Sequence, residues 1–235
     1  MSPWSSLWTV LPAAVVLVAG VLTLLLQPGK KLTSAMQHLC AGLIISAVAV
    51  ELLPESIGEG HSMYFAAGGY AAGLVIVYTI RFVSRRVDGE SSAGLLATVG
   101  IDIAVDALLV GISAATLAGL GAAVVASSLS LEAGFLVMAT AGTLLARSWS
   151  KTKVLAAVVA MAVLTLGLGM VGFYASTVLP PNVLTAVTGL GVSALLYLVV
   201  EELLVEAHAD EEGETSIGSM LFFVGFGVPT MLAAH

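Results

Sequence analysis

The 235-residue sequence is 59% hydrophobic and only 10% charged, with a mean hydropathy of +1.07, where a soluble domain of this size carries about 25% charged residues. Apolar runs of about 18 residues or more recur along the chain, which excludes a soluble globular domain and predicts an all-α membrane protein embedded in a lipid bilayer. Fifteen acidic residues against eight basic ones leave a formal charge of −7, which argues against nucleic acid or anionic lipid as partner and suits a path for cations.

Polar and helix-breaking boundaries predict eight transmembrane helices in a single domain, 1–235: 7–26, 34–57, 63–83, 94–117, 120–146, 154–176, 182–207 and 216–234. Each is long enough to cross a hydrocarbon core of about 30 Å at 1.5 Å per residue. No Lys or Arg precedes the first apolar run, so it reads as a retained span and not as a cleavable signal peptide. Cys40 is the only cysteine, which leaves no intramolecular disulfide. The third span carries Gly69-x-x-x-Gly73, a small-residue spacing that lets helices approach closely, either within the monomer or at a homodimer surface.

All eight basic residues fall in three connections: Lys30 and Lys31; Arg81, Arg85 and Arg86; Arg147, Lys151 and Lys153. With eight spans these connections share one face, and the positive-inside rule makes it cytoplasmic, with both termini outside the cell (inner) membrane. The second span ends Glu51-Leu52-Leu53-Pro54-Glu55 and the seventh ends Glu202-Leu203-Leu204-Val205-Glu206. The two copies run in opposite directions, which predicts inverted repeats in a 3+2+3 arrangement, a recurring device of membrane carriers.

Three carboxylates fall inside apolar spans: Asp102 and Asp106 on the fourth, Glu132 on the fifth. An ionised side chain near the bilayer centre costs roughly 2.5–3.5 kcal/mol on insertion scales, and a transported cation is the most economical offset. Asp102 and Asp106 are four apart, on one helix face about one turn from each other. The short link at Gly119–Gly121 folds the fifth span back, so all three acids come to a similar depth where they can converge on one ion. Neither span holds a basic residue to pair with them. Ser128, one turn before Glu132, supplies a neutral oxygen or bonds its own backbone. Oxygen donors of this kind suit hard or borderline divalent cations. Glu51 and Glu202 are candidate pathway ligands near the outer and inner ends. Around them lie Glu55, Glu59 and His61 on one side, and Glu201, Glu206, His208, Asp210, Glu211, Glu212 and Glu214 on the other.

The segment from His38-Leu39-Cys40-Ala41-Gly42 to Glu51-Leu52-Leu53-Pro54-Glu55 resembles the second helix of ZIP-family divalent metal transporters. Asp102-Ile103-Ala104-Val105-Asp106-Ala107 stands where that family carries His-Asn-x-Pro-Glu-Gly. Ser128-Leu129-Ser130-Leu131-Glu132 stands where it carries a His-or-Gln-x-x-x-Glu element. Spans seven and eight are also similar, so the resemblance covers nearly the whole chain. It implies a ZIP-like carrier moving a divalent metal cation (Zn, Fe, Mn or Cd) into the cytoplasm, by an elevator movement of spans 1, 4, 5 and 6 against 2, 3, 7 and 8, often as a dimer. The departures are the family's His replaced by Asp102, its Glu shortened to Asp106, and Ser128 in place of His or Gln. Without imidazole, Zn²⁺ loses ground to Mn²⁺, Fe²⁺ or Mg²⁺. The sixth span lacks an acid that could complete a second metal position, which implies a single-ion site. No enzyme activity is expected. Two acids on one helix do not resemble a protease dyad shared between helices, and no His-Glu-x-x-His occurs. The alternatives are a proton-coupled carrier of another substrate, which uses the acids as a relay, and a non-transporting membrane metal sensor.

Overall fold

The computed structural model describes residues 5–26, 30–58, 62–84, 91–117, 120–207 and 215–233. Every regular element among them is helical. A 3₁₀ turn, Ser5–Thr9, leads into α1, Val10–Leu26. Helix α2 starts as Lys30–Ala47, passes through a π-helical turn at Val48–Leu52, and ends as Leu53–Ile57. Next come α3, Met63–Ser84; α4, Ser92–Thr116; α5, Leu120–Ala146; and α6, Lys151–Val178. Helix α7 repeats the form of α2, with Pro181–Leu198, a π turn at Val199–Leu203, and Leu204–Ala207. Helix α8 is Thr215–Ala233.

Six of these helices are long and apolar enough to cross a membrane: Leu7–Leu26, Ser34–Ile57, Ser92–Thr116, Leu120–Ala146, Lys151–Val178 and Pro181–Glu201. This is the anatomy of an integral membrane protein. The third and eighth predicted spans fall on α3 and α8, which carry the apolar stretches Met63–Thr79 and Ile217–Leu232.

Helix starts follow local chemistry. Ser91 and Ser150 accept hydrogen bonds from the backbone N–H groups of Gly94 and Lys153 at 3.0 and 3.4 Å, which satisfies orphan donors at the first turns of α4 and α6. The end of α5 is a Schellman arrangement: Trp149 N–H reaches the Leu144 carbonyl and Ser148 N–H the Leu145 carbonyl, each at 3.0 Å, with Ser148 at φ 63°. A serine occupies the left-handed position that glycine fills most cheaply.

The helices pack in matched pairs: α2 along α8, α3 along α7, α1 along α5 and α4 along α6, with α4 and α5 forming a hairpin. Small residues set these distances. A Cβ added at Gly42 would strike the Phe222 carbonyl of α8, and one at Gly225 would strike the Leu39 carbonyl of α2. Ser46 Oγ–H also donates across this pair to Thr230 Oγ1 at 2.9 Å, and Thr230 donates in turn to the Phe226 carbonyl. The Gly69-x-x-x-Gly73 motif is occupied within the chain, since Gly69 lies against Ala186 and Gly73 against Leu190 and Ser193 of α7.

Two apolar cores result. One joins Ile44 and Leu52 of α2, Leu109 and Val110 of α4, Val125 and Leu129 of α5, and Leu195 and Val199 of α7. The other joins Val16 of α1, Val99 and Ile103 of α4, Val137 and Leu144 of α5, and Val154 and Val158 of α6. Helices α4 and α5 belong to both. The π turns keep one face of α2 and α7 in the first core. Ile44, Val48, Leu52 and Ser56 are all buried, as are Leu195, Val199 and Leu203. In a straight α-helix each step of four overshoots a turn by about 40°. One surplus residue, worth about 100°, brings the row back. The widened turns are recorded directly, because Leu53 N–H reaches the Val48 carbonyl and Leu204 N–H the Val199 carbonyl, five residues back in each case.

Candidate functional site

The acids lie where one core gives way to the other. On α4, Asp106 falls between Ile103 of the second core and Leu109 of the first. On α5, Glu132 falls between Leu129 of the first core and Ala133 of the second. Counted from the hairpin link by helical rise, Asp106, Glu132 and Asp102 lie at about 15, 18 and 21 Å respectively, so their depths match as the short link predicts.

Burial separates the three. Asp106 is 5% exposed and Glu132 1%, whereas Asp102 is half-buried. The Oδ2 atom of Asp106 and both carboxylate oxygens of Glu132 are buried without a hydrogen-bond partner. Such groups cost about 1–3 kcal/mol each when left unsatisfied, and native interiors contain few of them. Helices α4 and α5 carry no Lys or Arg. Glu132 lies within electrostatic reach of both aspartates. Ser128 is buried one turn before Glu132, as the spacing predicts.

The acids do not gather into one ligand group. Among the described residues, no three His, Cys, Asp or Glu side chains come close enough together to hold a metal ion. The geometry of a single helix explains part of this: residues four apart are displaced by about 6 Å along the axis. Asp106 and Glu132 form the interior pair, and Asp102 stands on a cavity one turn nearer the start of α4. That cavity, of about 60 Å³, lies between α3, α4 and α7, and Asp102, Asp106, Thr98 and Tyr197 are its polar lining.

Glu51 sits in the first π turn, half-buried, and its carboxylate lies against Gly121 in the first turn of α5. A helix N-terminus favours a negative charge. This contact is about 16 Å along α5 from Glu132, so Glu51 stands apart from the interior pair. Glu202 belongs to the second π turn, but its side chain lies outside the described residues, as do Glu59, His61, Glu206, His208, Asp210, Glu211, Glu212, Glu214 and His235. Glu201 is exposed. His38 is buried against Gly218, and its Nδ1–H donates to the Ser34 carbonyl at 3.0 Å, a packing role.

Sequence reasoning missed two neighbours of the acids. Cys40 is fully buried on α2, within electrostatic reach of Glu132. Tyr197 reaches the Asp102 cavity from α7. Both arrive from helices distant in the chain, and no local spacing signals their approach. Comparison with protein-family models and with curated proteins finds no match to this chain.

Proposed function

We propose that this chain is a ZIP-like carrier that moves a divalent metal cation across the membrane toward its basic, cytoplasmic face. The observation that carries the reading is the interior pair: Asp106 and Glu132, buried at matched depth, with three oxygens lacking any partner on helices without a compensating base. A transported cation supplies what those oxygens lack, and they replace part of its hydration shell. The substrate is a hard or borderline ion such as Mn²⁺, Fe²⁺ or Mg²⁺, because the pair offers oxygen and no imidazole. Ser128 adds a neutral oxygen, and Asp102 is the next step outward, on the cavity.

Two features support the inverted 3+2+3 plan of eight spans. Exchanging helices 1 with 6, 2 with 7, 3 with 8 and 4 with 5 turns the α2–α8 pairing into α7–α3 and the α1–α5 pairing into α6–α4. The π turns stand 151 residues apart, the offset at which the sequence echo aligns. Within α2–α8 and α3–α7 the glycines bring backbone against backbone, which suits a rigid scaffold. The α2–α5 contact joins through side chains such as Glu51, which suits a surface that slides.

The test is uptake of radiolabelled Mn²⁺ into liposomes containing the purified protein. Asp106→Ala and Glu132→Ala are expected to abolish uptake with folding intact; unchanged uptake in both removes the site. The separate placement of Asp102 favours one other reading, a proton relay running Asp102–Asp106–Glu132. Thermal stabilisation by micromolar Mn²⁺ separates the two, since only a cation ligand set responds.

A further inference from the structure

The cavity beside Asp102 is chemically two-sided. Its charged end is made by Asp102 and Asp106, and most of its remaining wall is aliphatic, including Val77, Val105, Leu190 and Leu195. Ile76 and Ile101 line it too, and they are 45% and 40% exposed on the outside of the bundle. Its rim is therefore built from side chains that meet hydrocarbon when α3 and α4 cross a bilayer. A hydrated divalent ion gains nothing from such walls, because it keeps its water or exchanges it for oxygen donors. A ligand with a cationic head and an apolar body matches both ends. Neither α4 nor α7 carries a basic residue. Asp106 lines this cavity, and its Oδ2 is buried without a hydrogen-bond partner.

We propose that this cavity binds a short aliphatic amine in its alkylammonium form, reached from the lipid phase between α3 and α4. The ammonium group donates to Asp102 and Asp106, and the chain lies along Val105, Leu190 and Leu195 toward Ile76 and Ile101. Size sets the expected length. A water molecule occupies about 10–15 Å³ on the same measure, so about 60 Å³ takes an ammonium head with roughly three to five methylene-sized units. Each methylene buried is expected to tighten binding about fourfold, with the gain ending near pentylammonium, beyond which the chain projects into lipid.

The experiment is calorimetric titration of the full chain in lipid nanodiscs with methyl- through octylammonium, using 1-pentanol as the uncharged control. Affinity should climb with length to about pentylammonium and should fall at least tenfold in Asp102→Asn. Ala194→Phe, which fills the cavity, should abolish it, and Ala194→Leu serves if the larger variant does not fold. Equal responses to pentanol and pentylammonium, no saturable amine binding, or amine binding unaffected by filling position 194 overturns the proposal. This site shares Asp102 and Asp106 with the carrier reading, but the two readings fail on different responses. A Mn²⁺ response without an amine response overturns the amine site and leaves the carrier; an amine response without a Mn²⁺ response overturns the carrier and leaves the amine site.

Discussion

Glu132→Met separates an acid kept for function from one kept for structure. The replacement conserves length and approximate volume and removes two buried oxygens that have no partner. Relieving two unsatisfied oxygens at about 1–3 kcal/mol each, less up to about 1.5 kcal/mol for imperfect packing of the new side chain, leaves a gain of about 0.5–6 kcal/mol. For a chain of this length 1 kcal/mol corresponds to about 2–4 °C in Tm, so the variant should unfold several degrees above the parent in the absence of metal. It should also lose Mn²⁺-dependent stabilisation and Mn²⁺ uptake together. Gains in stability at the expense of function are the usual mark of a site held in a costly arrangement. Thermal unfolding in nanodiscs with and without MnCl₂, paired with liposome uptake, reads all three quantities. A variant destabilised by more than about 1 kcal/mol that still takes up Mn²⁺ would refute the reasoning, because Glu132 would then be supporting the fold.

Three further outcomes follow from the packing. Ser148→Gly should raise stability by up to about 1 kcal/mol in chemical or thermal unfolding, since glycine adopts the left-handed conformation of the α5 C-terminus without a steric penalty. Gly42→Ala should destabilise by about 1–3 kcal/mol through collision with the Phe222 carbonyl. Gly68→Ala, where a Cβ meets nothing within 4 Å, should be neutral or stabilising by up to about 1 kcal/mol. Equal effects at the two glycines would contradict the α2–α8 spacing. Cys40, fully buried, should resist maleimide labelling in the folded protein and react only on denaturation; prompt labelling followed by mass spectrometry would place it at a surface.

Depth is legible in the sequence and azimuth is not. The rise per residue is fixed and the link between Thr116 and Leu120 is short, so the levels of Asp102, Asp106 and Glu132 follow from counting residues. Which way each side chain turns depends on neighbours from elsewhere in the chain. Asp102 therefore faces a cavity walled by α3 and α7, and the expected three-acid cluster resolves into an interior pair and a cavity-facing third. The spans expected from 94, 154 and 182 start at Ser92, Lys151 and Pro181, one to three residues earlier, because the caps Ser91 and Ser150 set the first two starts. The π turns are harder to see, because Ile44, Val48 and Leu52, at i, i+4 and i+8, also share one face of a straight α-helix. The contact of Glu51 with Gly121 joins residues 70 apart in the chain, and nothing in either segment announces it.

The π turns also govern how the rims of the molecule are aimed. Excising one amino acid from 48–52 would let α2 close up as uninterrupted α, screwing 53–57 round by about 100° and drawing it in by about 1.5 Å. The Glu51 carboxylate would swing off the cap of α5, and Ser56 would rotate out of the interior. A matching excision from 199–203 would re-aim 204–207 at the opposite end. Each tip is therefore set by a single residue's worth of slack, on helices other than α4 and α5, which carry Asp106 and Glu132.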